Sequence, residues 1–136
     1  MVYLDANVFV FAALAMDGLG DASRRILRNL RGINAKTCCL TLDELAWAVL
    51  RRGDNAMAAR ACRAVLGLRG LDIVSVEYGD VWEMARTMEV LGLRPRDALH
   101  YAVMRKLNEE TIITEDTHFD KVRVKRISIE DFAKSS

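Results

Sequence analysis

Asp5 ends a short apolar run, Val2-Tyr3-Leu4, and Asp116 stands two residues beyond another, Thr111-Ile112-Ile113-Thr114. In open parallel α/β sheets, sites form beyond the carboxyl ends of the strands. If these two runs are parallel neighbours, both carboxylates share one sheet edge. Glu44 and Asp97 lie near the starts of two helix-like segments, and Asp120 follows Asp116 by four residues. Two like charges about 5 Å apart, at an effective dielectric near 20, repel by about 3 kcal/mol. A hard divalent cation removes that cost, because Mg²⁺ and Mn²⁺ prefer carboxylate oxygen and retain waters. Water held in this way can attack a phosphodiester. The chemistry to which Asp5, Glu44, Asp97 and Asp116 point is therefore hydrolysis assisted by one or two Mg²⁺ or Mn²⁺ ions.

Each acid also has a plainer reading. Thr41-x-x-Glu44 fits a capping box, in which the glutamate only satisfies a backbone N–H. Asp97 can complement a helix dipole, Asp116 can open an Asx turn, and Asp5-x-Asn7 can be a turn and cap. His100, one turn after Asp97, reads as a packed histidine. His118, in a loop beside Asp116, reads as solvated or as a support for a neighbouring acid.

The elements that must position these residues alternate between strand and helix. Strands are expected at Val2–Leu4, 71–76, 111–114 and 124–129, with a brief β-prone stretch at 37–40. Residues 8–15 are apolar throughout and suit a buried helix. Asp21 is a good cap for a helix over 22–30, ended by Gly32. Thr41 opens a helix to about Arg51, and Asp54 caps another to about Leu68. Spacing predicts a helix over Tyr78–Leu91 that turns Val81, Met84, Ala85, Met88 and Leu91 inward. Pro95 suits the first turn of a helix over 95–108. This alternation predicts an α/β fold whose parallel sheet is covered on both faces.

Composition bounds the function. The 136 residues make one domain, 1–136, with 51% hydrophobic and 29% charged residues, which excludes a disordered chain. The net charge is +1, which excludes a uniformly basic nucleic-acid coat. Residues 1–70 carry ten basic and six acidic groups, whereas 71–136 carry ten and thirteen. If a metal neutralises the four acids, the remainder carries +5. Arg24, Arg28 and Arg31, on one helix face, then form a candidate RNA-binding stripe, and Arg94 and Arg96 flank the acids. An ordinary solvated face explains the stripe equally. Cys38, Cys39 and Cys62 lack zinc spacing and read as three reduced, mostly buried thiols. Trp47 and Trp82 suit either an interface or the core. No apolar run reaches membrane-spanning length. The first residues have no basic region, so no signal peptide is expected, and the expected compartment is the cytoplasm. No G-x-G-x-x-G follows the first strand, which argues against dinucleotide binding.

The ordered set of motifs resembles the PIN-domain ribonucleases, in particular the VapC-type toxins of prokaryotic toxin–antitoxin pairs. Val2-Tyr3-Leu4-Asp5-Ala6-Asn7-Val8 is similar to that family's opening strand, with Ala6 where Thr or Ser is frequent. Thr41-Leu42-Asp43-Glu44-Leu45 resembles the segment that supplies a glutamate. Arg96-Asp97-Ala98-Leu99-His100-Tyr101-Ala102 resembles the "DAL-H-A" helix start, and Ile112-Ile113-Thr114-Glu115-Asp116-Thr117-His118-Phe119 the closing "T-x-D…F" motif. The resemblance implies a three-layer α/β/α PIN-like fold with a central parallel sheet. It implies endonucleolytic hydrolysis of RNA to 5′-phosphate and 3′-hydroxyl ends, with Mg²⁺ or Mn²⁺ held by Asp5, Glu44, Asp97 and Asp116. Asn7, Thr114 and Asp120 would support those ligands from behind. A homodimer and a small antitoxin partner are implied too. The competing expectation is a catalytically silent PIN-like module that acts through a protein partner, with the acids as helix caps.

Overall fold

The computed structural model describes residues 1–135. Five strands form one parallel sheet in the order β3-β2-β1-β4-β5, with β1 Val2–Leu4, β2 Ala35–Cys38, β3 Leu71–Val74, β4 Thr111–Ile113 and β5 Lys125–Ile127. Tyr3 lies opposite Lys36 on one side and Ile112 on the other, and Leu4 lies opposite Ile113. β1 and β4 therefore end level, and Asp5 N–H donates to the Ile113 carbonyl at 3.2 Å. Apolar residues alternate across the sheet because successive strand side chains point to opposite faces. Val2, Leu4 and Ile113 join one core, with α1 (Ala6–Leu14), α2 (Gly18–Arg28), α3 (Cys39–Leu50), α4 (Asn55–Leu66) and α7 (Ile129–Ser135). Tyr3 and Ile112 join the other, with α5 (Tyr78–Leu91), α6 (Pro95–Lys106) and a 3₁₀ turn at Thr117–Lys121. The architecture is the expected three-layer α/β/α fold.

Several local expectations give way to tertiary constraints. α2 starts at Gly18, not Ala22, and Asp17 rather than Asp21 caps it, accepting from Gly20 N–H at 3.1 Å. A Cβ at Gly20 would lie 2.1 Å from the Ala15 carbonyl oxygen, so this glycine marks a close approach between α1 and α2. The helix ends at Arg28, ahead of Gly32. α3 runs directly out of β2, so Thr41 is no cap, and its hydroxyl instead meets Thr37 Oγ1 at 2.7 Å in the interior. Glu44 is thus the sixth residue of α3, outside any capping box.

α5 has the expected bounds but a shifted buried face. Asp80 and Thr87 are buried, whereas Val81, Ala85 and Leu91 are exposed. Asp80 Oδ2 meets Lys106 Nζ of α6 at 2.6 Å, and Met84 and Met88 pack on the core as expected. Asp54 caps α4 and Pro95 opens α6, both as expected, and Gly92 ends α5 in the left-handed region at φ 71°. All three cysteines are free, but only Cys38 is buried. Trp47 and Trp82 are 50% and 74% exposed, which removes both from the core. No described helix is long and apolar enough to cross a membrane.

Candidate active site

Asp5, buried just past β1, uses both carboxylate oxygens. Oδ1 accepts from Ala6 N–H at 2.8 Å and so caps α1, while Oδ2 accepts from the Thr114 hydroxyl at 2.7 Å. Thr114, just past β4 and fully buried, also accepts from Asn7 Nδ2 at 2.9 Å and from Asp116 N–H at 3.0 Å. One threonine oxygen thereby ties together both strand ends, Asp5, Asn7 and the segment that carries Asp116. Asn7 and Thr114 hold the supporting positions expected of them.

Asp97 comes from the first turn of α6, where unpaired backbone N–H groups favour negative charge. Asp116 caps the 3₁₀ turn, its Oδ1 accepting from His118 N–H at 2.9 Å. The His118 ring folds back so that Nδ1 lies 3.1 Å from Asp116 Oδ1 and 3.4 Å from Asp97 Oδ2. Asp97, Asp116 and His118 each present a ligand atom within 4.8 Å of the other two.

Glu44 enters from α3, and its Oε1 lies 2.5 Å from His100 Nε2. His100 is a packed histidine, as expected, at 1% exposure. Its ring nonetheless belongs to the site, because Nε2 is also 3.7 Å from Asp5 Oδ1 and Nδ1 is 2.7 Å from the Tyr3 hydroxyl. That hydroxyl can donate onward to Cys38 Sγ at 3.1 Å.

The electrostatics follow from this crowding. Burial pushes the Asp5 carboxyl up; His100 and Thr114 pull it back in part, and Glu44 pushes it further. Burial, then the charges of Asp116 and Asp5, raise Asp97. For His100, burial disfavours the charged ring, but the bonds to Cys38 and Glu44 and the Asp5 charge outweigh it. The imidazole is pushed up to about 10, so it stands as a cation between two carboxylates.

Glu44, Asp97 and Asp116 line a cleft of about 420 Å³ with Arg94, Arg96 and His118 at its wall. An adjoining cleft of about 250 Å³ brings in Asp5, Asn7, Trp47 and Arg51. The structure thus brings Asp5, Glu44, Asp97, Asp116, Asn7, Thr114, Arg94 and Arg96 to one place. Among the described residues, neither Arg94 nor Arg96 is paired with a carboxylate.

Other candidates fall outside. Asp120 is exposed and bonded to Arg126 Nε at 2.9 Å, so it turns away from the acids. Arg24 is not a free surface charge. It donates to the Ala12 and Ala15 carbonyls at 3.1 and 2.9 Å and pairs with Asp21 at 2.8 Å, closing the end of α1. Arg28, at the end of α2, and Arg31, on the loop into β2, line a separate cleft with Arg25 and Arg69, at the opposite sheet edge. Sequence reasoning undervalues His118 and misses Arg51. Only the i, i+2 spacing of Asp116 and His118 hints at the first, and nothing local marks the second.

Comparisons with known proteins agree with this fold. The sequence profile of the PIN domain matches residues 2–125. No curated protein matches at a significant level. Among solved structures, the sarcin–ricin-loop-cleaving toxin VapC20 of Mycobacterium tuberculosis superposes with a TM-score of 0.75 at 18% identity, over 90% of this chain and 99% of that one. VapBC2 of Rickettsia felis, bound to a fragment of its promoter DNA, gives 0.66 at 18% identity, over 94% and 98%. FitAcB of Neisseria gonorrhoeae gives 0.69 at 16%, over 95% and 98%. At these identities the structural likeness bears on fold. The profile match spans nearly the whole sequence, and on that ground the chain belongs to the PIN domain family.

Proposed function

We propose that this protein is a metal-dependent endoribonuclease and the toxin of a toxin–antitoxin pair, with residues 1–136 acting as a single nuclease domain. The observation that carries the reading is the meeting of four carboxylates from four elements on one cleft, beside two arginines that no acid neutralises. The donor set fits a hard divalent ion such as Mg²⁺ or Mn²⁺, because carboxylate oxygens dominate it. Asn7 Oδ1, buried at the same cleft without a hydrogen-bond partner, fits an acceptor meant for a water or ligand. The superposing structures, a cleaving toxin and toxin–antitoxin complexes among them, support the same reading.

Asp5, Glu44, Asp97 and Asp116 would hold one or two ions, which supply Lewis acidity and lower the pKa of bound water. Thr114 and His100 hold Asp5 and Glu44 in place. Arg94 and Arg96 meet the phosphate chain of RNA, since guanidinium pairs well with phosphate. Cleavage leaves 5′-phosphate and 3′-hydroxyl ends. A homodimer, a small antitoxin protein and a cytoplasmic location complete the reading.

The test is incubation of the purified protein with structured and unstructured RNA, in Mn²⁺ or in EDTA, with the product ends mapped. Cleavage only with the metal, leaving 5′-phosphates, supports the nuclease. An absence of both cleavage and metal-induced stabilisation would instead indicate the silent module that acts through a partner.

A further inference from the structure

We propose that His118 is a direct ligand of the ion held by Asp97 and Asp116, and that its imidazole turns this site toward first-row transition ions and away from Mg²⁺. The proposal rests on the metal-dependent reading above and adds a residue and a metal preference to it.

The geometry is that of a ligand set. An octahedral ion with bonds of about 2.1 Å separates neighbouring ligand atoms by about 3.0 Å. His118 Nδ1 lies 3.1 Å from Asp116 Oδ1 and 3.4 Å from Asp97 Oδ2, close to that edge length. The ring is placed by the chain: Asp116 caps the 3₁₀ turn through the His118 N–H, which fixes the backbone two residues on. The side chain is 48% exposed, so solvent was open to it, yet it points at two carboxylates. Among the described residues its Nε2 has no partner, so no protein bond competes for the ring's orientation.

His100 cannot take this part. Its two ring nitrogens are engaged by Glu44 and Tyr3, and the ring is buried. The two histidines divide the labour: His100 holds a carboxylate from behind, and His118 faces the cleft.

A nitrogen donor changes the chemistry of an otherwise all-oxygen site. Mg²⁺ suits carboxylate, carbonyl and water, whereas imidazole suits the first-row transition metals, with affinity rising from Mn²⁺ to Co²⁺. A carboxylate site already ranks Co²⁺ above Mn²⁺, and one imidazole among the carboxylates widens that gap and the gap to Mg²⁺.

The experiment is metal binding without substrate. Free Mn²⁺ is read by electron paramagnetic resonance, with Co²⁺ and Mg²⁺ as competitors, on wild type, His118→Ala and Asp97→Asn. Because His118 is half exposed, its substitution leaves the core intact, which an unchanged metal-free melting temperature verifies. His118→Ala is expected to weaken Co²⁺ by about tenfold or more, Mn²⁺ by less, and Mg²⁺ by less than about twofold. Asp97→Asn is expected to weaken all three. An unchanged Co²⁺/Mg²⁺ ratio in His118→Ala overturns the proposal while leaving the metal site standing. Tighter binding of every ion also overturns it, since the ring would then be a competitor for the ion's place. If wild type binds none of the three, the metal-dependent reading and this proposal fall together.

Discussion

Thr114 shows how one side chain can set a whole site. Its hydroxyl donates to Asp5 and accepts from Asn7 and from the Asp116 backbone, so it levels two strand ends and aims two acids at once. Thr114→Val keeps the shape and removes those three bonds. Metal affinity is expected to fall by about 10–100-fold, the range seen when a ligand's supporting bond is lost, and calorimetric titration with Mn²⁺ reads it. The four acids are legible in sequence because each follows a strand or lies near a helix start, where topology alone sends it to the site. Asp120 shares Asp116's loop but not its environment, since Arg126 on β5 holds it outward. Arg24 departs from expectation for a similar reason. Its helical spacing holds for Arg28 but not for Arg31, which lies beyond the end of α2; the open carbonyls at the end of α1 capture Arg24, and spacing within one helix does not show what another helix leaves unsatisfied.

At the scale of elements, the junctions decide what local signals cannot. Four of the five strands and most of the helices are legible in sequence, because alternation of short apolar runs with longer amphipathic ones is a strong signal; β2 shows only as the β-prone stretch 37–40, whose second half is already α3. The early helix start at Gly18 escapes it for a physical cause. Glycine is a weak helix former, but Gly20 lets α2 pass against the Ala15 carbonyl. Gly20→Ala is therefore expected to destabilise the fold by about 1–3 kcal/mol, the usual cost of overpacking. Gly79, inside α5, gives the contrast, because a Cβ added there would meet nothing within 4 Å. Gly79→Ala is expected to stabilise by about 0.4–1 kcal/mol. Paired urea melts check both signs, and loss of stability in both variants would contradict the packing described. The shifted face of α5 has the same kind of origin. Asp80 is buried and paired with Lys106 on α6, while Val81 and Leu91 face solvent.

Taken whole, the molecule spends stability on its site. Asp5 and Asp97 are raised by burial and by neighbouring charge, and His100 is raised to about 10 between Glu44 and Asp5. The folded state therefore holds the His100 proton more tightly than the unfolded chain, whose imidazole titrates near 6.5. That contribution is fully present below about pH 6.5 and is lost as pH rises toward about 10. The raised carboxyls act in the same sense at lower pH. The metal-free protein is thus expected to melt at progressively lower temperature from pH 6.5 to pH 10, as scanning calorimetry in EDTA would show; a flat or rising profile contradicts this electrostatic picture. The four site acids, two from each half of the sequence, meet at one sheet edge with Arg94 and Arg96, whereas Arg28 and Arg31 belong to the other.

The central claim is that these acids are kept together for catalysis against their own repulsion, and one comparison tests it. Wild type and Asp97→Asn are assayed side by side for single-turnover RNA cleavage in Mn²⁺ and for melting temperature in EDTA. Asn at this position should cut the cleavage rate on the order of 10²-fold or more and should raise the metal-free melting temperature, because a repelled, partly buried carboxylate is gone. Cleavage at the wild-type rate, or a variant that melts lower without metal, would contradict the claim.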